Sequence, residues 1–159
     1  MLDTFDRAIL WELQRDNRQP MAEIGRTVGL SEPSVRRRVR RLRRDAYIIG
    51  DVSLVDPDRL GLTVIVLVRF EKESQQTYEA FKKEMIATEQ IAQCYTVTGD
   101  EDFVLVGHFA DMRAYDAWVN QRLLTNRAIS RSTTHVVYRR AKFETAIPIE
   151  TIDRTSNGR

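Results

Sequence analysis

The sequence is poor in the features that mark secreted and membrane-spanning proteins. It has one cysteine, Cys94, so no disulfide can form within the chain, which is typical of a reducing compartment. Its longest apolar run, Leu62–Val68, is interrupted by Thr63 and is too short to cross a bilayer. No basic segment followed by an apolar block opens the chain. We therefore expect no signal peptide, no membrane contact and a cytoplasmic location.

The chain also lacks the patterns of catalysis and of metal or cofactor binding. It has two histidines, no Ser-His-acid arrangement, and neither of the glycine-rich loops that bind phosphates or dinucleotides. The stretch Gly99–Asp102 contains three acids, but it lacks the spacing of a calcium loop, and no His or Cys supports it locally. We therefore expect no enzyme, no cofactor and no metal site.

What the sequence does contain is a concentration of arginine. Seven arginines and one glutamate lie between Ser31 and Arg44, a local charge of +6 in a chain whose net charge is only +2. Val35, Val39 and Leu42 recur at helical spacing within this stretch, which predicts a helix docked on a core and not a disordered tail. A basic element on a mildly acidic body indicates an anionic partner.

This basic helix has three possible roles: a solvated surface, a membrane-surface helix, or a helix that contacts nucleic acid. Solvated faces usually mix charges, but no acidic residue lies between Glu32 and Asp45. A membrane-surface helix needs bulky apolar residues across a wide face, which three modest ones do not provide. The preceding segments decide in favour of nucleic acid.

Those segments complete a helix-turn-helix pattern. Asp3 is a candidate N-cap for a first amphipathic helix, and residues 21–28 predict a short second helix. The three-residue turn from Gly29 to Ser31 then leads into the basic helix. In this arrangement the last helix enters the major groove, where arginine reads guanine or neutralises phosphates. The predicted DNA-binding residues are Ser31, Ser34, Arg36, Arg37, Arg38, Arg40, Arg41 and Arg44, of which Arg37, Arg40, Arg41 and Arg44 should point away from the apolar seam into solvent.

The second half of the chain alternates strands with helices. Residues 48–55 predict a short strand or hairpin, and the Asp56-Pro57-Asp58 sequence predicts a turn. The following order, βαββαβ, is the ferredoxin-like arrangement, which makes the chain an α+β protein. The predicted strands are 62–70, 91–98, 101–109 and 129–138, and the predicted helices are 75–87 and 112–124.

At this point the sequence resembles a known family. The stretch "LDTFDRAILWELQRDNRQPMAEIGRTVGLSEPSVRRRVRRLRRDAYIIG", followed by "VDPDRLG", is similar to the N-terminal half of the Lrp/AsnC (feast/famine) transcription regulators. These begin LDxxDxxIL and carry L-x-x-D-x-R, G-L-S and R-V-x-x-L. The motifs "VTGDEDFVL", "DMRAYDAW" and "THVVYRRAK" resemble the family's ligand-sensing RAM domain. The likeness covers residues 2 to about 145.

The resemblance implies both a domain plan and a function. A winged helix-turn-helix domain (1–50) is expected to continue through a linker strand or hinge (51–61) into a ferredoxin-like RAM domain (62–145) and a polar tail (146–159). The implied function is a nucleoid-associated regulator that binds double-stranded DNA and responds to a small effector, an amino acid or a related metabolite. The implied assembly is a homodimer joined through its β-sheets, with four dimers forming an octamer.

The resemblance also places the effector between dimers. The matching residues are Gly99, Asp100 and Asp102 in the turn between the second and third strands, and Thr134, His135 and Val136 in the last strand. Turn amides suit an α-carboxylate, and Asp102 suits an ammonium group. Judged without the resemblance, the same turn is a hairpin with solvated acids.

Two positions depart from the family pattern, and one rival function remains. Ala46 and Ala128 stand where the family usually has glycine, before the wing and before the last strand. The rival is an architectural DNA-binding protein that needs no ligand.

Overall fold

Three helices begin the chain, in a computed structural model that describes residues 1–72 and 74–149. They are α1 (Thr4–Arg15), α2 (Met21–Val28) and α3 (Glu32–Arg44), as the apolar periodicity predicted. Asp3 caps α1, because its carboxylate accepts the amide of Asp6, whose own carboxylate accepts the amide of Asp3. The apolar seams of the three helices form one core, built of Ile9, Leu10, Ile24, Val35, Val39 and Leu42.

The turn between α2 and α3 sets the position of the basic helix. Gly29 ends α2 in the left-handed region, with a φ of 75°, as the sequence predicted. Ser31 occupies the N-cap position of α3, but its hydroxyl lies 2.9 Å from the hydroxyl of Ser34 and makes no capping bond to an amide. Gly25 allows the close approach of the turn, since a Cβ there would lie 2.5 Å from the carbonyl oxygen of Leu30.

The end of α3 explains why Ala46 is an unusual residue at its position. The amide of Tyr47 donates to the carbonyl of Leu42 at 2.9 Å, and the amide of Ala46 donates to that of Arg43 at 3.1 Å. These two bonds define a Schellman motif, which places Ala46 in the left-handed region with a φ of 57°. Glycine adopts this conformation without strain, whereas an L-residue pays for it.

Replacing Ala46 by Gly is therefore expected to stabilise the protein. The left-handed conformation costs an L-residue about 1–2 kcal/mol, of which the greater unfolded-state freedom of glycine cancels about half, so we expect a gain of about 0.5–1 kcal/mol. Urea denaturation measures it. Ala128→Gly is the matched control, because Ala128 does not have a positive φ and packs against the hydrophobic core that contains Phe81 and Trp118. The control should lose stability, and a gain in both variants would contradict the explanation.

The prediction of a strand or hairpin at residues 48–55 is wrong. Residues 49–56 have no regular secondary structure, and a short 3₁₀ helix follows at Pro57–Arg59. The apolar side chains of Ile49, Val52 and Leu54 are exposed. A strand needs a neighbour to bond its amides and carbonyls, and no strand of the described residues runs beside this segment.

The C-terminal segment belongs to the same unit as the three helices. Contacts within the chain separate Leu54–Ala141 from a unit made of Met1–Ser53 and the segment from Lys142 onward. The amide of Ile147 donates to Gln14 Oε1 at 2.6 Å, and Gln14 Nε2 donates back to its carbonyl at 3.2 Å. The described part of the expected tail, residues 146–149, therefore contacts α1, and the part from residue 150 on lies outside the described residues.

The second unit, Leu54–Ala141, is built on a four-stranded antiparallel sheet. The predicted βαββαβ order is correct, and the observed ends differ from the predicted ones by at most two residues. None of the described helices is long and apolar enough to cross a membrane. The elements are β1 (Leu62–Phe70), α4 (Gln75–Ile86), β2 (Ile91–Thr96), β3 (Phe103–Phe109), α5 (Met112–Arg122) and β4 (Ile129–Val137). The strands lie in the order β2-β3-β1-β4 across the sheet.

The sheet has two unlike faces. On one face, residues such as Val66 and Leu105 pack with Phe81 of α4 and Trp118 of α5 into a buried core. Alternate residues of a strand point to the opposite face, which we call the open face. Its central side chains are apolar and half-buried. They are Ile65, Leu67, Val104 and Val106.

Candidate nucleic-acid interface and effector site

The exposed surface of α3 is almost entirely arginine. Because Val35, Val39 and Leu42 are buried, Arg37 and Arg40 project from the opposite side and are exposed. Neither has an ion pair within the described part of the chain. The surface forms a shallow groove of about 530 Å³, lined by Arg37, Arg38, Arg40, Arg41 and Arg44.

Three of the remaining arginines form exposed ion pairs. Arg36 pairs with Glu32 at 2.5 Å, Arg43 with Asp51 at 2.5 Å, and Arg44 with Asp45 at 2.9 Å. The hydrogen bond from Arg43 lowers the pKa of Asp51. Pairs this exposed contribute little to stability and open readily toward a phosphate. These three arginines therefore remain available to DNA.

Arg38 and Arg41 are placed differently, because both reach α1. The carboxylate of Asp6 is completely buried and accepts hydrogen bonds from Arg38, at 2.8 Å, and from Arg41. Asp3 holds Arg38 from a second side at 2.6 Å, and that bond lowers the pKa of Asp3 and raises that of Arg38. The ring of Phe5 lies 5.4 Å from the guanidinium of Arg38.

This arrangement corrects two interpretations of the sequence. Arg41 was expected to point into solvent, but it is half-buried and paired with Asp6. The basic helix also does not lack acidic partners, since Asp3, Asp6 and Asp51 come to it from outside its own sequence. The spacing of α3 carries no signal for these contacts. Of the two acids in the "LDTFD" stretch, the sequence predicts a role only for Asp3, as a helix cap.

The N-terminus of α3 carries the two predicted serines. Ser31 is exposed and Ser34 half-buried, and their hydroxyls bond each other and not a backbone amide. The first amides of a helix favour an anion. Both serines are therefore placed where a phosphate could replace their mutual hydrogen bond.

The turn predicted to hold the effector has one side chain already in use. Gly99 has a φ of 123° and, like Asp100, is exposed. Asp102, in contrast, accepts the amide of Phe70 at 2.6 Å and the hydroxyl of Tyr78. Both of its oxygens thus have donors, although each keeps a further lone pair. No pattern in the sequence indicates this bond to Tyr78.

The three predicted residues of β4 do not share one face of the sheet. Thr134 pairs with Val66 and its hydroxyl bonds that of Tyr115, which places it on the helix-covered face. Val136 lies on the same face by alternation, whereas His135 pairs with Ile65 and lies on the open face. Since β4 is an edge strand, its free backbone edge is reached from both sides.

Within one chain the two predicted effector segments are separated. The turn joins β2 to β3, and β1 lies between β3 and β4. Two strand spacings amount to about 10 Å, and the turn also projects beyond the end of the sheet. The two segments therefore lie at different parts of the sheet within one chain.

Comparisons with known proteins match the N-terminal helices and the β-sheet part of the chain to two different domains. Residues 2–43 match the AsnC-type helix-turn-helix domain, and residues 63–147 match the Lrp/AsnC ligand binding domain. An HTH-type transcriptional regulator of Sinorhizobium fredii (strain NBRC 101917 / NGR234) is 37% identical over 151 residues, covering 94% of this chain and 89% of that protein. The leucine-responsive regulatory protein of Escherichia coli (strain K12) is 34% identical over 152 residues, covering 94% and 93%.

Solved structures show the same likeness. The crystal structure of a Neisseria meningitidis transcriptional regulator in complex with L-Met has a TM-score of 0.86 at 25% identity, and covers 96% of this chain and 99% of that one. An AsnC family transcriptional regulator from Agrobacterium tumefaciens has a TM-score of 0.85 at 27% identity, with coverages of 95% and 99%. Sequence and fold are similar over nearly the whole chain.

Proposed function

The chain belongs to the Lrp/AsnC family of transcriptional regulators, and from this premise we propose that it binds specific double-stranded DNA under the control of a small effector. The observation that carries the proposal is the position of Arg37 and Arg40, which are exposed, have no ion pair within residues 1–72 and 74–149, and lie on a helix that its core residues hold in place. We place this function in the cytoplasm, on the nucleoid, and assign the chain no catalytic role.

The DNA contacts follow from the geometry of α3. The major groove accepts one α-helix, and guanine offers two acceptors to a single guanidinium. Arg37 and Arg40 lie three residues apart on one helix face, so both can reach base edges together. Arg36 and Arg44, with the serines at the start of the helix, are suited to the phosphates on either side. Phosphate contacts position the helix and base contacts supply specificity.

The proposed assembly is a homodimer that meets through the open face and builds further into octamers. Ile65, Leu67, Val104 and Val106 form an apolar centre on this face, and such a patch favours burial against a partner. A second copy also supplies the two-fold symmetry with which helix-turn-helix proteins grip two half-sites.

Replacing Leu67 by Asp should disrupt this assembly. A carboxylate at the centre of a self-complementary interface would be buried in both copies without a partner, so dimerisation should weaken at least tenfold, about 1.4 kcal/mol. Analytical ultracentrifugation measures it. Ile86→Asp is the control, since Ile86 is 82% exposed on α4. Dimers of equal strength in both variants would place the interface elsewhere.

The proposed effector is an amino acid or a related metabolite bound between chains. The Neisseria relative was crystallised with L-Met, and the exposed amides of the Gly99–Asp100 turn suit a carboxylate. A ligand that bridges chains favours one oligomeric arrangement, while DNA favours the arrangement whose α3 helices match its half-sites. The two equilibria are thereby linked.

Asp102 is the proposed partner of the ligand's ammonium group, and a thermal-shift screen of the twenty amino acids tests this. A ligand at about ten times its dissociation constant should stabilise the protein by about 1.4 kcal/mol. Asp102→Asn should lose that response. Tyr78→Phe is the control, because it removes a hydrogen bond to Asp102 and leaves the charge. If Tyr78→Phe loses the response as well, Asp102 acts only through the fold. If no amino acid stabilises the unaltered protein, the ligand-independent architectural function is favoured.

A further inference from the structure

Five of the seven arginines of α3 have a carboxylate partner in the described chain. Two of them, Arg38 and Arg41, differ from the other three, because their partners are Asp6 of α1 and the N-cap of that helix, Asp3. The side chain of Asp6 is fully buried between them, and that of Asp3 is half exposed beside Arg38. The result is an acidic pair of residues set directly behind a DNA-facing helix.

Such a pair changes what the two arginines offer to DNA. An exposed ion pair opens at little cost. A guanidinium bound to a buried carboxylate, in contrast, cannot leave without leaving that carboxylate buried and unpaired. Arg38 is also only 19% exposed in its side chain, and it is bound by the half-exposed Asp3 as well as by the buried Asp6. Both arginines line the groove, yet their charge is largely balanced from within.

Sequence-independent affinity for DNA depends on the number of phosphates that a protein neutralises. Specific affinity depends in addition on contacts to base edges. An acid that balances an arginine lowers the first without touching the contacts that Arg37 and Arg40 make. The net effect is weaker sequence-independent binding, with the base contacts left intact.

We propose that Asp3 and Asp6 limit the sequence-independent affinity of the DNA interface. They withdraw Arg38 and Arg41 from the phosphates, keep random-sequence binding weak, and leave reading to Arg37 and Arg40. This inference rests on the proposed DNA-binding function and adds to it a role for residues outside the helix-turn-helix contacts. It also assigns Arg38 and Arg41 as positioning residues that fix α3 to α1.

Asp3→Asn tests the proposal without unfolding the protein. Asparagine caps a helix as well as aspartate does, so the bond to the amide of Asp6 is kept while the charge beside Arg38 is lost. Fluorescence anisotropy would measure binding to a random-sequence duplex and to a duplex selected from the same pool, over a range of salt concentrations. We expect random-sequence affinity to rise by up to about eightfold at 0.1 M salt, with a salt slope steeper by up to about 0.9. Affinity for the selected duplex should rise by a similar factor, because that complex contains phosphate contacts as well.

Two controls separate this role from general charge and from helix packing. Glu23→Gln removes the same charge from α2, where no arginine of α3 is bound among the described residues, and should leave the salt slope unchanged. Adding Arg38→Gln to Asp3→Asn should restore the original slope, because the positive charge that Asp3 balanced is gone. A purely structural role of Asp3 predicts neither the steeper slope nor its reversal.

The outcomes are distinguishable. If the unaltered protein selects no sequence from the pool, the proposed function fails and the inference with it. If the unaltered protein selects a sequence, but Asp3→Asn changes random-sequence binding no more than Glu23→Gln does, only the inference is overturned.

Discussion

Replacing Asp6 by Asn should lower the free energy of unfolding of the N-terminal unit by roughly 3–5 kcal/mol. Asp6 is a buried charged residue that holds Arg38 and Arg41 and also caps the amide of Asp3. An asparagine of the same size leaves Arg41 without a negative partner among the described residues and leaves Arg38 with Asp3 alone. Breaking one side of a buried ion cluster costs more than the cluster contributes, because the remaining charge stays desolvated.

Urea denaturation, followed by the circular dichroism of the helices, measures this loss. Asp16→Asn is the matched control. Asp16 caps the other end of α1 and also binds an arginine, Arg18, but it does so in solvent. The control should show no resolvable change. Unfolding of Asp6→Asn at the denaturant concentration of the unaltered protein would mean that Asp6 does not anchor α3.

Replacing both Arg37 and Arg40 by Ala should remove most of the affinity for the preferred DNA sequence. A bidentate contact to guanine is worth about 1–3 kcal/mol, so two such contacts should give a loss of roughly 2–6 kcal/mol. The range is wide because residues three apart on a helix are neighbours and their effects need not add. The fold should be unchanged, since both side chains are exposed and without ion pairs in the described chain.

The same net charge can be removed elsewhere as a control. Arg113 and Arg127 are exposed in the second unit, and their joint replacement by Ala should weaken binding only through the general electrostatic attraction. That part of the affinity fades as salt rises. A loss of specific binding as large in the control as in Arg37→Ala/Arg40→Ala would mean that α3 does not read bases.

The helices and strands were predictable because their signals are local. The period of Val35, Val39 and Leu42 identified α3, and the apolar run along Leu62–Phe70 identified β1, so their ends lie within two residues of the predicted ones. Where a segment depends on a neighbour that the described chain does not supply, as at residues 48–55, a β-rich composition misled. Composition favours a strand, but a bonding partner is what makes one.

The ion pairs of α3 were not predictable for the opposite reason. Asp3 and Asp6 lie 35 and 32 positions before Arg38, and no periodicity links residues so distant. Counting acids within the helix therefore overstated its free charge. For the proposed effector site, the sequence pointed to the turn, but it did not show that Tyr78 and Phe70 bind Asp102 from elements on either side.

The central claim is that α3 reads DNA sequence through Arg37 and Arg40. Repeated selection from a pool of random duplexes, followed by sequencing of the bound fraction, tests it most directly when the unaltered protein and Arg37→Ala/Arg40→Ala are carried through in parallel. We predict that the unaltered protein enriches a two-fold symmetric site containing guanines in each half, and that the variant enriches none. Equal enrichment of the same site by both proteins, or no enrichment by either, would contradict the claim.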